Sequence, residues 1–273
     1  MTAVQKVIKY CAIAFAIFLI VSIFSGIIGA VSGLSFVFGG SKDAVGEMKT
    51  FAIDGEVSIL DIDLSAAQLE IRTGKEFSVE SNHKYLNVKN AEGTLTVNED
   101  SVVGGINFEE IKVILTIPEN QVFETAIINT GAGTVKIDAV TANKLTLDLG
   151  AGKADIGELS ATVSSRISGG AGELNIRGGE LACLDFDMGV GKAVIRSRLS
   201  GNSDVDCGVG DLSLTLIGNE SDYRIMLDKG LGEAVIGGER AADGAVYGSG
   251  ETAVDVDGGV GRVEIGFEEN AVI

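Results

Sequence analysis

An all-β fold, a parallel β-solenoid wound as a right-handed β-helix from coils of ~19–20 residues, is predicted by three features of this chain. The first is a phrase that recurs seven times: GAGTVKI at Gly131, GAGKADI at Gly150, GAGELNI at Gly170, GVGKAVI at Gly189, GVGDLSL at Gly208, GLGEAVI at Gly230 and GVGRVEI at Gly259. Intervals of 19, 20, 19, 19, 22 and 29 residues separate the first glycines, as stacked repeats require. The second is a set of apolar columns. Three residues before the first glycine stand Ile128, Leu147, Ile167, Phe186, Val205, Leu227 and Val256. Four after it stand Val135, Ala154, Leu174, Ala193, Leu212, Ala234 and Val263, and six after it Ile137, Ile156, Ile176, Ile195, Leu214, Ile236 and Ile265. The residue between these last two columns is mixed, so the apolar period is two, which is a strand with one buried face. The third is composition. With 38 glycines, one proline, no tryptophan and 5% aromatics, the chain suits strands and tight turns around an aliphatic interior.

The elements follow in order. Tyr10 to Phe38 carry no charged side chain, a run longer than the ~20 residues that cross a bilayer. Lys6 and Lys9 precede it, and only Lys42, offset by Asp43, follows closely, so residues 1–40 are predicted as a cytoplasmic tip and one transmembrane helix. The C-terminal body is then extracytoplasmic. A cleaved signal peptide is the competing reading, but its apolar core is shorter, ~7–15 residues, and Ile28 stands where a small residue is wanted before Ala30. Ser25, Gly29 and Gly33 recur every four residues and could join two such helices into a homodimer.

Residues 41–50 read as a polar tether, and 51–130 as irregular β coils or a cap. Within these, Asp61 to Ile71 is an eroded coil, with Ile62, Leu69 and Ile71 in the core columns and Ser65-Ala66-Ala67 in place of GxG. Residues 131–273 form the regular solenoid. Insertions near Asn219–Asp222 and within Arg240–Thr252 are expected as loops on one face, and the tail from Phe267 as the C-terminal cap.

The GxG pairs lie between strands, so they mark corners; a phosphate-cradling loop would need a helix to follow. Net charge is −18, and the first 50 residues contribute four lysines against Asp43 and Glu47, so the remainder sums to −20. Nucleic acid and anionic lipid are repelled by such a body. Cys183 and Cys207 fall in columns ~16 Å apart along the strand, with opposite parity, which argues against a disulfide. Cys207 shares its column with Leu149 and Met188 and is expected as a buried thiol, and Cys11 lies in the apolar segment.

Two residues before the first glycine stand Asn129, Asp148, Ser168, Asp187, Asp206, Asp228 and Asp257. Stacking at ~4.8 Å would set Asp187, Asp206 and Asp228 in a consecutive ladder whose repulsion a Ca²⁺ ion could relieve. The alternative is that aspartate beside a tight turn bonds nearby amides, with water and salt screening its charge. No other cofactor is implied. The single histidine, His83, lies in the polar run Ser81-Asn82-His83-Lys84-Tyr85 and is expected on the surface, with no second histidine for a metal pair or triad. Arg177 and Arg196 share a column, and a polysaccharide-acting β-helix enzyme, which would need acidic and basic groups converging on one groove, is a third reading for which no such convergence is found.

The uncharged segment Tyr10–Phe38, the strand ending Leu115-Thr116-Ile117-Pro118, and the ladder of G-[AVL]-G followed by alternating aliphatics together resemble the bacterial adhesin-type domain of unknown function, a membrane-anchored β-strand repeat family. That resemblance spans about residues 50–273 and implies a β-solenoid at the cell surface. The expected role is a non-enzymatic surface scaffold or adhesin-like binding module, whose partners are a cell-wall or host-surface component or an envelope membrane protein. The alternative is an accessory component of envelope-stress signalling.

Overall fold

The computed structural model describes residues 44–99 and 111–269. Every element below belongs to one of the two units into which the chain divides, Val45–Ser101 with Asn107–Ile273. Tyr10–Phe38, with Ser25, Gly29 and Gly33, lies outside the described residues, and no helix among those described is long and apolar enough to cross a membrane.

The described chain is all-β, an open parallel stack rather than a closed barrel, with one 3₁₀ turn at Glu220–Asp222. Ladder bonding continues through the corners, from Phe123 to Ile176, then over Leu184–Ser200 and Asn202–Ile217. All three predicted apolar columns are buried, none of their residues more than 4% exposed. They align coil on coil: Ile62 with Ile128, Ile71 with Ile137, Phe186 with Val205 and Ile195 with Leu214. Each buried Val, Leu, Ile or Phe side chain contributes about 1.5–3 kcal/mol relative to exposure, and the coils supply each other's apolar lids. Asp61–Ile71 is a coil in register with the first GxG copy, as its pattern predicts.

The order of the coils departs from the order of the sequence at both ends. Asn202–Ile217 pairs with Thr252–Asp257 and Val260–Glu268, and these pair in turn with Tyr223–Asp228 and Glu233–Ile236. The last coil of the chain thus lies inside the stack, beneath the one before it. At the other end Ile59–Gly74 is enclosed in the same way, between the first GxG coil and the strands Thr94–Glu99 and Lys112–Pro118. Phe267 and Glu268 pair with Leu216 and Ile217 and so lie within the stack rather than capping it. Arg196 grips Glu268 through two bonds, of 2.7 and 2.8 Å.

The ends are closed by strands that reverse direction. Ala245–Gly248 runs antiparallel to Tyr223–Asp228, and Glu239–Arg240 to Glu233–Ile236, so the insertion within Arg240–Thr252 builds a cap rather than a free loop. Leu86–Ala91 covers Thr94–Glu99, and Ser78–His83 covers Lys112–Pro118. Val45–Ala52, which begins inside the stretch read as a tether, covers Ser78–His83 in turn. Short antiparallel strands, and exposed charges such as Glu47 and Lys49 on the outermost one, discourage another chain from adding to the edge.

His83 corrects the sequence reading. It is 3% exposed rather than on the surface, because strand alternation turns Val79, Ser81 and His83 inward together. Its ring meets the Tyr85 ring at 6.1 Å, and neither ring nitrogen has a hydrogen-bond partner among the described residues. Burial pushes its pKa down, and the Glu99 carboxylate opposes this.

Candidate binding face

The site is built on the GxG corner. A Cβ on Gly152 would overlap the carbonyl of Gly133, one on Gly172 would overlap that of Gly152, and both glycines hold φ near +140° (141° and 143°). Glycine is therefore demanded twice over, by backbone conformation and by the close approach of the next coil. In the first coil Ser65 and Ala67 stand at the corresponding positions.

Because the glycines carry no side chains, the residues beside them form open channels. One of about 560 Å³ crosses five coils and is lined by Asp63, Asn129, Asp148, Ser168, Asp187 and the first glycines. Nearer the C-terminal cap a hollow of about 420 Å³ is lined by Asp204, Met226, Asp228, Asp255 and Asp257.

Register decides which carboxylates meet. Asp187 and Asp206 are neighbours as predicted, but Asp228 is not the next step: Asp257 pairs with Asp206 on one side and Asp228 on the other. The predicted ladder Asp187–Asp206–Asp228 is corrected to Asp187–Asp206–Asp257–Asp228, because the inserted last coil supplies the intervening strand. A parallel row, Asp185, Asp204 and Asp255, runs beside it. Burial first, then Asp204, Asp257, Asp187 and Asp185, hold the Asp206 carboxyl above its ordinary pKa. Arg166 pairs with Asp185, the one cationic partner found for this plate of seven carboxylates among the described ion pairs. No group of three or more His, Cys, Asp or Glu among the described residues is placed to hold a metal ion.

The other candidate residues are occupied structurally. Arg177 pairs with Asp155 at 3.2 Å, and Arg196 is held by Glu268 and by the Arg177 carbonyl. Cys207 is a free buried thiol whose pKa burial raises, beside Met188, while Cys183 is free and exposed.

One feature of the corner was missed in the sequence: the middle residue of each GxG is half-buried or exposed, and these residues stack into a ridge. In stacking order it is alanine from Ala66 to Ala171, then Val190, Val209 and Val260, and finally Leu231 on the outermost coil. Val260 is 42% and Leu231 62% exposed. The signal is present in the middle letter of the repeat, but in sequence order leucine precedes the last valine and the steady growth is hidden.

A family model, Toastrack DUF4097, matches residues 57–242, more than half of the chain. The chain belongs to the Toastrack family. The matched stretch ends before the inserted last coil, Thr252–Glu268. No curated protein matches the chain. Among solved structures, similarity is found to a proposed cell adhesion protein of Clostridium sporogenes, with 15% identity, 81% of this chain and 99% of that chain covered, and a TM-score of 0.33. A proposed adhesin of Parabacteroides distasonis shares 14% identity over 82% of this chain and 98% of that one, with a TM-score of 0.37. A proposed lipid binding protein of the same organism shares 16% identity over 82% and 96%, with a TM-score of 0.31. At these identities and scores, nothing of those proteins' roles carries over.

Proposed function

We propose that this Toastrack chain is a non-enzymatic binding module held outside the cell by the membrane segment Tyr10–Phe38. The observation that supports binding is the channel of about 560 Å³, which is open, carries a polar side chain (Asp63, Asn129, Asp148, Ser168 or Asp187) on each coil between glycines and aliphatic groups, and runs across five coils. An extended ligand lying across the stack meets a similar set of acceptors, donors and backbone groups every ~4.8 Å, so weak contacts add along its length. A cell-wall or host-surface component fits such a surface better than a compact small molecule, which favours an enclosed apolar pocket. Anchoring is supported by the uncharged run and by Lys6 and Lys9 before it.

The test has two arms. In intact cells Cys183, exposed on the body, is expected to react with a membrane-impermeant maleimide, and a Cys183→Ser chain to lose that label. Isolated envelopes should bind the full chain and lose roughly tenfold in affinity for a variant with Asp148→Arg and Asp187→Arg, which fill the channel. Unlabelled Cys183 overturns the location, and unchanged envelope binding overturns the site.

A further inference from the structure

The ridge and the carboxylate plate reach their greatest extent on the same coils. Where the middle residue of the corner enlarges from alanine to valine and leucine, the adjoining face acquires Asp185, Asp187, Asp204, Asp206, Asp255 and Asp257, with Asp228 on the outermost coil. Met226 and Val246, cross-strand partners 49% and 56% exposed, extend the apolar surface beside Asp228. Large aliphatic groups in water next to carboxylates of which Asp185 alone has a cationic partner among the described ion pairs are costly on both counts.

We infer that this end of the corner docks a basic amphipathic polypeptide segment, its aliphatic side chains against the ridge at Val209, Val260 and Leu231 and its lysines or arginines over the plate. The inference rests on the binding reading above and names the partner's chemistry. Charge selects the occupant. A second copy of this chain would bring another body of about −20 against the plate, and nucleic acid or anionic lipid would be repelled in the same way. A metal ion could neutralise carboxylates but would leave the ridge in water. A chain with alternating basic and aliphatic side chains satisfies both surfaces at once, because strands ~4.8 Å apart and carboxylates ~6.8 Å apart along each strand offer a grid that an extended peptide can follow.

The test uses the full chain in detergent micelles and fluorescently labelled peptides of about ten residues. A lysine–valine alternating peptide is expected to bind, a lysine–serine peptide of equal charge at least tenfold more weakly, and a glutamate–valine peptide not at all. Binding of the first should weaken as salt rises. Leu231→Ser combined with Val260→Ser, and separately Asp206→Asn combined with Asp257→Asn, should each reduce its affinity tenfold or more, while Lys153→Gln, on the opposite face of the corner, leaves it unchanged. Equal binding of the lysine–serine peptide, or indifference to both double variants, overturns the inference. Should the ridge variant fail to fold, the aspartate variant decides alone, since it relieves repulsion. Envelope binding that depends on Asp148 but proceeds without any affinity for the lysine–valine peptide would sink this inference and leave the binding module standing.

Discussion

The two faces that meet at the glycine corner share one scaffold and treat charge in opposite ways. On the strand before the turn, like charges stack on like: Asp187, Asp206, Asp257 and Asp228 are successive neighbours. On the strand after it, three residues past each first glycine, the signs alternate from Lys153 through Glu173, Lys192, Asp211 and Arg262 to Glu233. Lys153 and Glu173 lie 3.0 Å apart, and the Lys153 hydrogen bond, then its charge and that of Lys192, hold the Glu173 carboxyl below its usual range. The post-turn face neutralises itself and gains nothing from a charged partner. Apart from Asp185, held by Arg166, the pre-turn face keeps its repulsion, which protons or an external cation would relieve. Geometry is common to both, so the contrast isolates charge pattern as the difference between a self-sufficient surface and one suited to binding.

The most damaging way to break this comparison is to remove the corner that both faces share. Gly172→Ala forces a side chain into the Gly152 carbonyl at φ 143°, and is expected to cost about 3 kcal/mol or more, read as a fall in the denaturant midpoint. The alternating face is tested by Lys192→Glu, which places three like charges in a row between Glu173 and Asp211. A drop of roughly 1–4 °C in Tm, shrinking at high salt, is expected; no change would remove the distinction between the faces.

The smallest effects sharpen the comparison through pH. Asp206 has a raised folded pKa, so the folded state holds its proton more tightly than the unfolded chain, and stability falls as pH rises from the unfolded value near 3.8 through the folded one. Asp206→Asn should therefore raise Tm by about 1–3 °C at neutral pH and change nothing below pH ~4. His83 behaves with opposite sign. Its folded pKa is lowered, so its contribution is intact above the unfolded value near 6.5 and is lost as pH falls towards the folded one. His83→Phe should remove that acid-side loss, measured as the slope of Tm between about pH 6.5 and 5. Acidification is thus expected to relax the carboxylate plate and to loosen the N-terminal cap.

Strand character, the three buried columns and the corners were legible in the residues. Apolar period is a local property, and Ile62, Leu69 and Ile71 betray a coil even where the glycines have been replaced. His83 was not legible, because the polar run Ser81 to Tyr85 resembles a turn until Val45–Ala52 and Lys112–Pro118 pair on either side of it and Ser81 Oγ donates to the Lys112 carbonyl at 2.7 Å. The binding face was half legible. Its aspartate column could be read, but its neighbours could not, and the ridge was hidden by the reversal of the last two coils.

Which residues face inward and where the backbone turns follow from side-chain size, polarity and glycine, so seven copies of a short phrase suffice to state them. Which coil lies upon which does not follow, because every coil offers nearly the same apolar columns and the same hydrogen-bonding edge to every other. Long-range strand pairing resolved that degeneracy by inserting Thr252–Glu268 beneath Tyr223–Ile236. That one exchange sets the carboxylate ladder, completes the alternation of charge and orders the ridge from alanine to leucine.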